Sequence, residues 1–213
     1  MDLGDLRLST AHALVAEALG ERLLSSEGTP AQYLQALIDG LCELSLKDPL
    51  TGLHNRRYFN AVIESEIDRV ARTGEAALLL MIDIDRFKQV NDDHGHLVGD
   101  RVLQNIAGIL RTVAGAEDVP CRLGGDEFCL LVMAESREEV LRYAEFVIAT
   151  TRSLLRLQQA VPTICAVSIG ACLVEHGQDW NDWYARADAA LYESKRQGGN
   201  RVSWIDGDSR PDG

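Results

Sequence analysis

Apolar positions recur along the chain with two periods, and the switching between them predicts an alternation of helices and strands. Ala13, Leu14, Ala16, Leu19 and Leu23-Leu24 follow helical spacing, with Ser9 or Thr10 placed to cap the start. Ser25-Ser26-Glu27-Gly28 breaks this helix. Thr29-Pro30 starts the next, as a capping side chain followed by proline at the first helical position. That second helix carries Leu34, Leu37, Ile38, Leu41, Leu44 and Leu46 close to a heptad seam, over too few turns to define a coiled coil. The segment from Asp48 to Arg57 contains proline and glycine and reads as a boundary loop, with Asn55 capping a third helix to about Arg72.

Ala76 to Ile84 is a continuous apolar run, which fits a strand covered on both faces. A polar stretch from Arg86 to Asp100 reads as a loop leading into a helix at about 98 to 113. Cys121 to Val132 is two apolar segments around Gly124-Gly125, the pattern of a β-hairpin, because paired glycines accept the positive φ angles of a tight reversal. Beyond it the pattern predicts a helix from Arg137 to about Leu155 and a strand from Ile164 to Val174. A helix from Asn181 to Lys195 and a strand from Arg201 to Ile205 follow, and the polar tail from Asp206 is expected to be disordered.

Composition narrows the function. The 213 residues suffice for one domain with an appendage, and 46 % apolar content is enough to fill its core. A formal charge of −12 argues against a broad nucleic-acid footprint, but leaves open a nucleotide held through metal ions. The five cysteines form no CxxC pair, and several lie in apolar runs, as small buried hydrophobes of a reducing compartment do. No leader pattern opens the chain and no apolar run approaches the ~20 residues of a membrane span, so a cytoplasmic protein without membrane attachment is expected.

Candidate chemistry concentrates on carboxylates. Asp126 and Glu127 follow the Gly-Gly turn directly, and two such charges about 4 Å apart repel by about 4 kcal/mol at an effective dielectric near 20. A divalent cation would turn that repulsion into attraction, although an isolated acidic turn is common. Asp83 and Asp85 share one face of their strand by its period of two. A carboxylate at the end of a buried strand presents a metal ligand well; capping of a following turn suits Asp85 better than Asp83. The loop after it is not a calcium site, since counting from Asn91 puts His96 at the glycine position and Val102 at the final glutamate. His94 and His96 lack partners for zinc.

The order of motifs is more specific than any one of them. Asp-Pro-Leu-Thr-Gly-Leu-His-Asn-Arg-Arg (48–57), Asp-Ile-Asp-Arg-Phe-Lys (83–88), Asn91, Gly95-His96, Gly99-Asp100, Arg-Leu-Gly-Gly-Asp-Glu-Phe (122–128), Ser-Ile-Gly (168–170) and Ala-Asp-Ala-Ala-Leu-Tyr-Glu-Ser-Lys (187–195) occur in series. Over roughly residues 48 to 205 this resembles the GGDEF-domain diguanylate cyclases. The resemblance implies an α+β, palm-like nucleotide-cyclase fold, a central mainly antiparallel sheet flanked by helices, preceded here by an N-terminal helical stalk. It implies condensation of two GTP into cyclic di-GMP and two pyrophosphates by a homodimer of half-sites.

Carried over by position, Asp83, Asp126 and the Ile84 carbonyl would hold two Mg²⁺ or Mn²⁺ ions per half-site. Glu127 would bind metal or help deprotonate the ribose 3′-hydroxyl. Asn91 and Asp100 would read guanine, because a carboxylate accepting from N1–H and the N2 amine rejects adenine. Lys88, Lys195 and backbone N–H groups around Phe87 would hold the β- and γ-phosphates. The 48–57 segment would be structural.

Two positions depart from the family pattern. Gly115 stands where the arginine of an Arg-x-x-Asp product-inhibition site belongs, ahead of Asp118, and Phe146 stands at the secondary arginine. Gly199 stands where arginine often precedes Asn200, with Arg196 as a possible substitute. Occupied acidic positions favour an enzyme over a silent GTP- or cyclic-di-GMP-binding module, and Asp100 speaks against a mixed cyclic dinucleotide. Three segments are therefore expected: a regulatory or dimerising helical segment at 1–47, open to a partner protein, a catalytic domain at 48–206, and a tail at 207–213.

Overall fold

A computed structural model describes residues 8–20, 29–74, 76–134, 166–174 and 180–205, with helical positions 138, 142, 146, 147, 149 and 150. The expected tail lies outside the described residues, as do Leu23-Leu24, Ile164 and Cys165. The chain separates into two compact units, Met1–Lys47 and Asp48–Gly213.

The first unit is a pair of helices, α1 (Ser9–Leu19) and α2 (Pro30–Ser45). Thr29 caps α2 as the sequence predicts, in a reciprocal box: its hydroxyl accepts from the Gln32 N–H, and the Gln32 side chain accepts from the Thr29 N–H. Ser9 does not cap α1. It is the first helical residue, after Leu8, and the helix ends at Gly20 with φ +91°. Val15 of α1 and Leu37 of α2 are buried together, and Gly40 supplies the clearance, because a Cβ there would strike the Val15 side chain. The seam residues of α2 are thus divided: Leu37 is buried and Leu44 partly so, whereas Ile38 and Leu41 are exposed.

The second unit is built on a six-stranded sheet in the order β1-β3-β4-β2-β5-β6, with β1 (His54–Asn55), β2 (Ala76–Ile84), β3 (Val119–Gly124), β4 (Glu127–Ala134), β5 (Val167–Val174) and β6 (Val202–Ile205). The three inner pairings, β3–β4, β4–β2 and β2–β5, are antiparallel, and the edge pairings β1–β3 and β5–β6 are parallel. The sheet is mainly antiparallel, as the resemblance implies. Strand β1 lies inside the segment read as a boundary loop; two residues are too few to leave a periodic trace.

Besides the helical positions between 138 and 150, the described residues of this unit include helices α3 (Arg56–Thr73), α4 (Phe87–His94), α5 (His96–Val113) and α6 (Trp180–Arg196). Asn55 caps α3 by accepting from the N–H groups of Arg57 and Tyr58. Helix α4 is a correction, since the polar run after β2 reads as loop. Its Val90 packs into the core while the rest of its eight residues are largely polar, too short a span for periodicity to speak.

Period-two alternation sorts the strands. Leu78, Leu80, Ile82 and Ile84 join Val90 of α4 and Val102, Ile106 and Leu110 of α5 on one face. Ala77, Leu79 and Met81 join Phe59 and Ile63 of α3 and Trp183, Ala187 and Leu191 of α6 on the other. Buried on both sides, β2 needs the continuous apolar run that the sequence shows. Cys121, Cys129 and Cys172 are buried as small hydrophobes, and burial pushes the Cys129 thiol pKa up; Cys42 is exposed.

Arg122 ties the start of this unit to its hairpin. Its Nη1 donates to both Asp48 carboxylate oxygens, at 3.0 and 3.2 Å, while Nε and Nη2 donate to the Gly125 carbonyl. Burial of Asp48 favours its neutral form, but hydrogen bonds from Thr51 and Arg122, with the Arg122 charge, outweigh it and hold the pKa below the ordinary value. A carboxylate depressed by folding stabilises above its unfolded pKa of about 3.9, and that contribution is lost as pH falls through the folded value. Asp48→Asn should therefore lower the melting temperature at pH 7 and flatten its decline below about pH 4. A decline as steep as in the unsubstituted protein would remove Asp48 from acid unfolding.

Candidate active site

The carboxylates gather where β2 ends and β4 begins. Asp83 is the penultimate residue of β2 and lies directly across from Glu127, the first residue of β4. Directly opposed cross-strand residues project to the same face, and like charges in such a pair cost stability. Here each acid meets a cation from a helix packed on that face. Lys195 of α6 places Nζ 2.7 Å from Asp83 Oδ2. Arg56, the first residue of α3, has Nη2 3.5 Å from Glu127 Oε2 and donates from Nε to the Leu123 carbonyl.

The Asp83 side chain is only 10 % exposed. Burial pushes its pKa above the usual carboxylate range, Lys195 opposes this, and the charges of Asp126 and Glu127 add to the rise. Asp126 is thus close enough to act on the ionisation of Asp83. It occupies the turn itself, where Gly125 has φ +52° and its carbonyl is gripped by Arg122.

The Ser-Ile-Gly segment of β5 holds α6 in place. Gly170 faces the helix backbone so closely that a Cβ would collide with the Ala187 carbonyl and the Leu191 nitrogen. Ser194, buried one residue before Lys195, donates to the Ile169 carbonyl at 2.8 Å and meets Ser203 Oγ of β6 at 2.9 Å. Ser168 pairs in register with Asp83, and its hydroxyl donates to Asp85 Oδ1 at 2.6 Å. The other Asp85 oxygen accepts from the Asn200 N–H at 2.7 Å, so Asp85 caps the turn after α6 rather than the turn that follows it in sequence. Gly199 sits against this carboxylate with φ +74°, where a Cβ would lie 2.7 Å from Asp85 Oδ2. Arg196 is paired with Glu193 of its own helix.

A second group forms on the opposite helical layer. Gly99 of α5 lies against the side chains of Asn91 and Phe87 on α4; a Cβ would overlap Asn91 Oδ1. Asp100, next to Gly99, is half-buried, while Lys88 is exposed in the first turn of α4. The structure thus brings Asp83, Glu127 and Lys195 into one cluster beside Asp126, and Asn91 and Phe87 together against Gly99 next to Asp100. Arg56, Arg122, Ser168 and Ser194 escaped the reading of the residues by chemistry. Their one signal was membership in the matched motifs.

Among the described residues, no three His, Cys, Asp or Glu side chains form a cage able to hold a metal ion alone. The donors nevertheless fit Mg²⁺ or Mn²⁺. Mg²⁺ is commonly held by one or two carboxylates plus substrate phosphates, and this set joins the buried Asp83 to the more accessible Asp126 and Glu127, all of them oxygen donors.

Comparison with known proteins gives the lineage. The family described as "Diguanylate cyclase, GGDEF domain" matches residues 45–201. The chain belongs to the GGDEF family. It is 37 % identical over 186 residues to the diguanylate cyclase DgcP of Pseudomonas aeruginosa, an alignment covering 87 % of this chain and 28 % of that protein. The chain spans 38 % of the response regulator PleD of Caulobacter vibrioides, at 35 % identity across 80 % of its own length. Its structure superposes with a TM-score of 0.71 and 33 % identity on SiaD of Pseudomonas aeruginosa, solved in complex with its activator SiaC, covering 95 % of this chain and 77 % of that one. These likenesses confirm the palm-like α+β fold. Among the described residues no helix is long and apolar enough to cross a membrane.

Gly170→Ala should destabilise the protein by about 3 kcal/mol, a fall of roughly 6–12 °C in melting temperature, because backbone cannot yield as a side chain can. Gly108→Ala in α5, where nothing lies within 4 Å of the added carbon, serves as the control in the same melting experiment and should hold or slightly raise the melting temperature, as alanine favours a helix interior. Equal melting of the two variants would refute the close approach of α6.

Proposed function

We propose that this GGDEF protein is a diguanylate cyclase: two GTP molecules condense to cyclic di-GMP and two pyrophosphates, each chain of a homodimer contributing one half-site. The observation that carries this reading is the opposed pair Asp83 and Glu127 beside Asp126, a concentration of negative charge that folding does not require. Asp83, the Ile84 carbonyl and Asp126 would hold two divalent ions, with Glu127 as a further ligand. Bound there, such ions would lower the pKa of the attacking hydroxyl and offset charge on the triphosphate.

The chain's own residues do the rest. Asn91 and Asp100 read the guanine edge, and Gly99 lets Asn91 lie close to α5. Lys88, Lys195 and the N–H groups at the start of α4 hold the β- and γ-phosphates, where the helix dipole favours negative charge. Glu127 is also suited to help take the ribose proton. One site binds one GTP, so a second chain must face the first to bring each 3′-hydroxyl to the other's α-phosphate.

Residues 1–47 serve as a regulatory or dimerising element that sets this orientation, and residues 48–206 as the catalytic domain. A protein partner on the N-terminal helices is consistent with the activator complex of SiaD. The reaction belongs in the cytoplasm, where GTP is available.

Feedback through the Arg-x-x-Asp site is proposed to be weak or absent. Gly115 offers no guanidinium, and Asp118 has structural partners: Oδ2 accepts from the Gly115 N–H at 2.7 Å and Oδ1 from the Met133 N–H at 3.1 Å. Phe146 is exposed.

Purified protein with Mg²⁺ and GTP should yield cyclic di-GMP, with specific activity rising as the chain dimerises at higher concentration. Asp126→Ala or Glu127→Ala should abolish product by chromatography while GTP binding partly survives. No product from the unsubstituted chain, even when artificially dimerised, defeats the reading. In the same assay, micromolar cyclic di-GMP should slow the reaction little; strong non-competitive inhibition would show that another surface supplies the missing arginines.

A further inference from the structure

We propose that Lys195 is an exchangeable counter-ion, which neutralises Asp83 in the nucleotide-free protein and transfers to the triphosphate when a metal–nucleotide complex binds. The proposal rests on the reading of Asp83 as a metal ligand, and adds a linkage between metal and nucleotide binding that passes through one side chain.

Three observations carry it. The ammonium lies 2.7 Å from Asp83 Oδ2, on the carboxylate that would have to face a divalent ion. The two partners differ in freedom: the Asp83 side chain is 10 % exposed at the end of a buried strand, whereas that of Lys195 is 44 % exposed on a long flexible stem. The backbone beneath that stem is fixed, since Ser194 is bonded to Ile169 and Ser203, and the Gly199 N–H returns to the Ser194 carbonyl. The side chain can therefore swing without the helix moving.

The neighbouring groups make the exchange selective. Asp85, two residues along, has both oxygens taken by Ser168 and Asn200, so it does not compete for the ammonium. Glu127 has Arg56. Metal alone must displace Lys195 from Asp83 and leave the half-exposed ammonium with water as its only new partner. Metal arriving with a triphosphate supplies phosphate oxygens to receive it, and the cost of breaking the ion pair is recovered. Metal without nucleotide should thus bind weakly.

The test is Mn²⁺ binding to the full chain without nucleotide, followed by electron paramagnetic resonance of the free ion. Lys195→Met keeps the stem and removes the charge; it should bind Mn²⁺ about tenfold more tightly, the size of a charge-assisted hydrogen bond that no longer has to be broken. Lys195→Gln should behave alike, and Lys195→Arg should stay close to the unsubstituted protein. Both neutral variants should weaken GTP binding in the absence of metal. Unchanged or weaker Mn²⁺ binding by Met and Gln variants that melt as the parent does would overturn the proposal. A parent that binds Mn²⁺ in the presence of GTP, with no gain in the nucleotide-free variants, sinks the exchange alone. No Mn²⁺ binding even with GTP sinks the metal site itself.

Discussion

Antiparallel registry sets Asp83 against Glu127 at the end of strands that are otherwise buried between helices, and much of the second unit is arranged around that unfavourable pairing. Strand pairing fixes the Cα positions of the two acids opposite each other, so they can separate only as far as their side chains reach. The charge has to be met where it stands. Arg56 at the start of α3 and Lys195 at the end of α6 meet it from two helices packed on one layer. The placement of those helices follows from the same apolar alternation that points Leu79 and Met81 toward them. The core and the site are one construction: positions 77, 79 and 81 bury the helices, and position 83 uses them.

Fixing the helices needs contacts that are not apolar. Gly170 removes a side chain so that β5 and α6 touch backbone to backbone, and Ser194 closes the contact with hydrogen bonds. Asp85 and Ser168 then secure the turn after α6 from the far side. At the hairpin, Arg122 does the equivalent work, holding the Gly125 carbonyl with one edge of its guanidinium and Asp48 with the other. The first residue of the second unit is thereby tied through Arg122 to the turn that carries Asp126.

Much of this was legible in the chain. The apolar run 76–84, the Gly-Gly hairpin, the caps Thr29 and Asn55 and the helix to Lys195 all show in local pattern, because each is decided by neighbours within a few residues. Helix α4 and strand β1 were not legible. Eight mostly polar residues and a two-residue strand carry no period, and both exist because the surrounding layers hold them. Ser9, offered as a cap, proved to be inside its helix, a difference of one residue that tertiary packing sets.

The sequence by itself determined which groups are available: two acids after two glycines, an acid near the end of an apolar run, an Asn and an Asp in the polar stretch that follows it, and a lysine after a serine. Motif order named the family. Only the tertiary structure decided who meets whom. That Asp83 faces Glu127 rather than Asp126, that Asp85 serves the turn after α6 rather than its own, and that Lys195 lies on Asp83 are facts of registry and layer packing. They join residues far apart in the chain, and no local pattern records them, since a register shift of one residue in β2 would keep every local preference and turn Asp83 away from both Glu127 and Lys195.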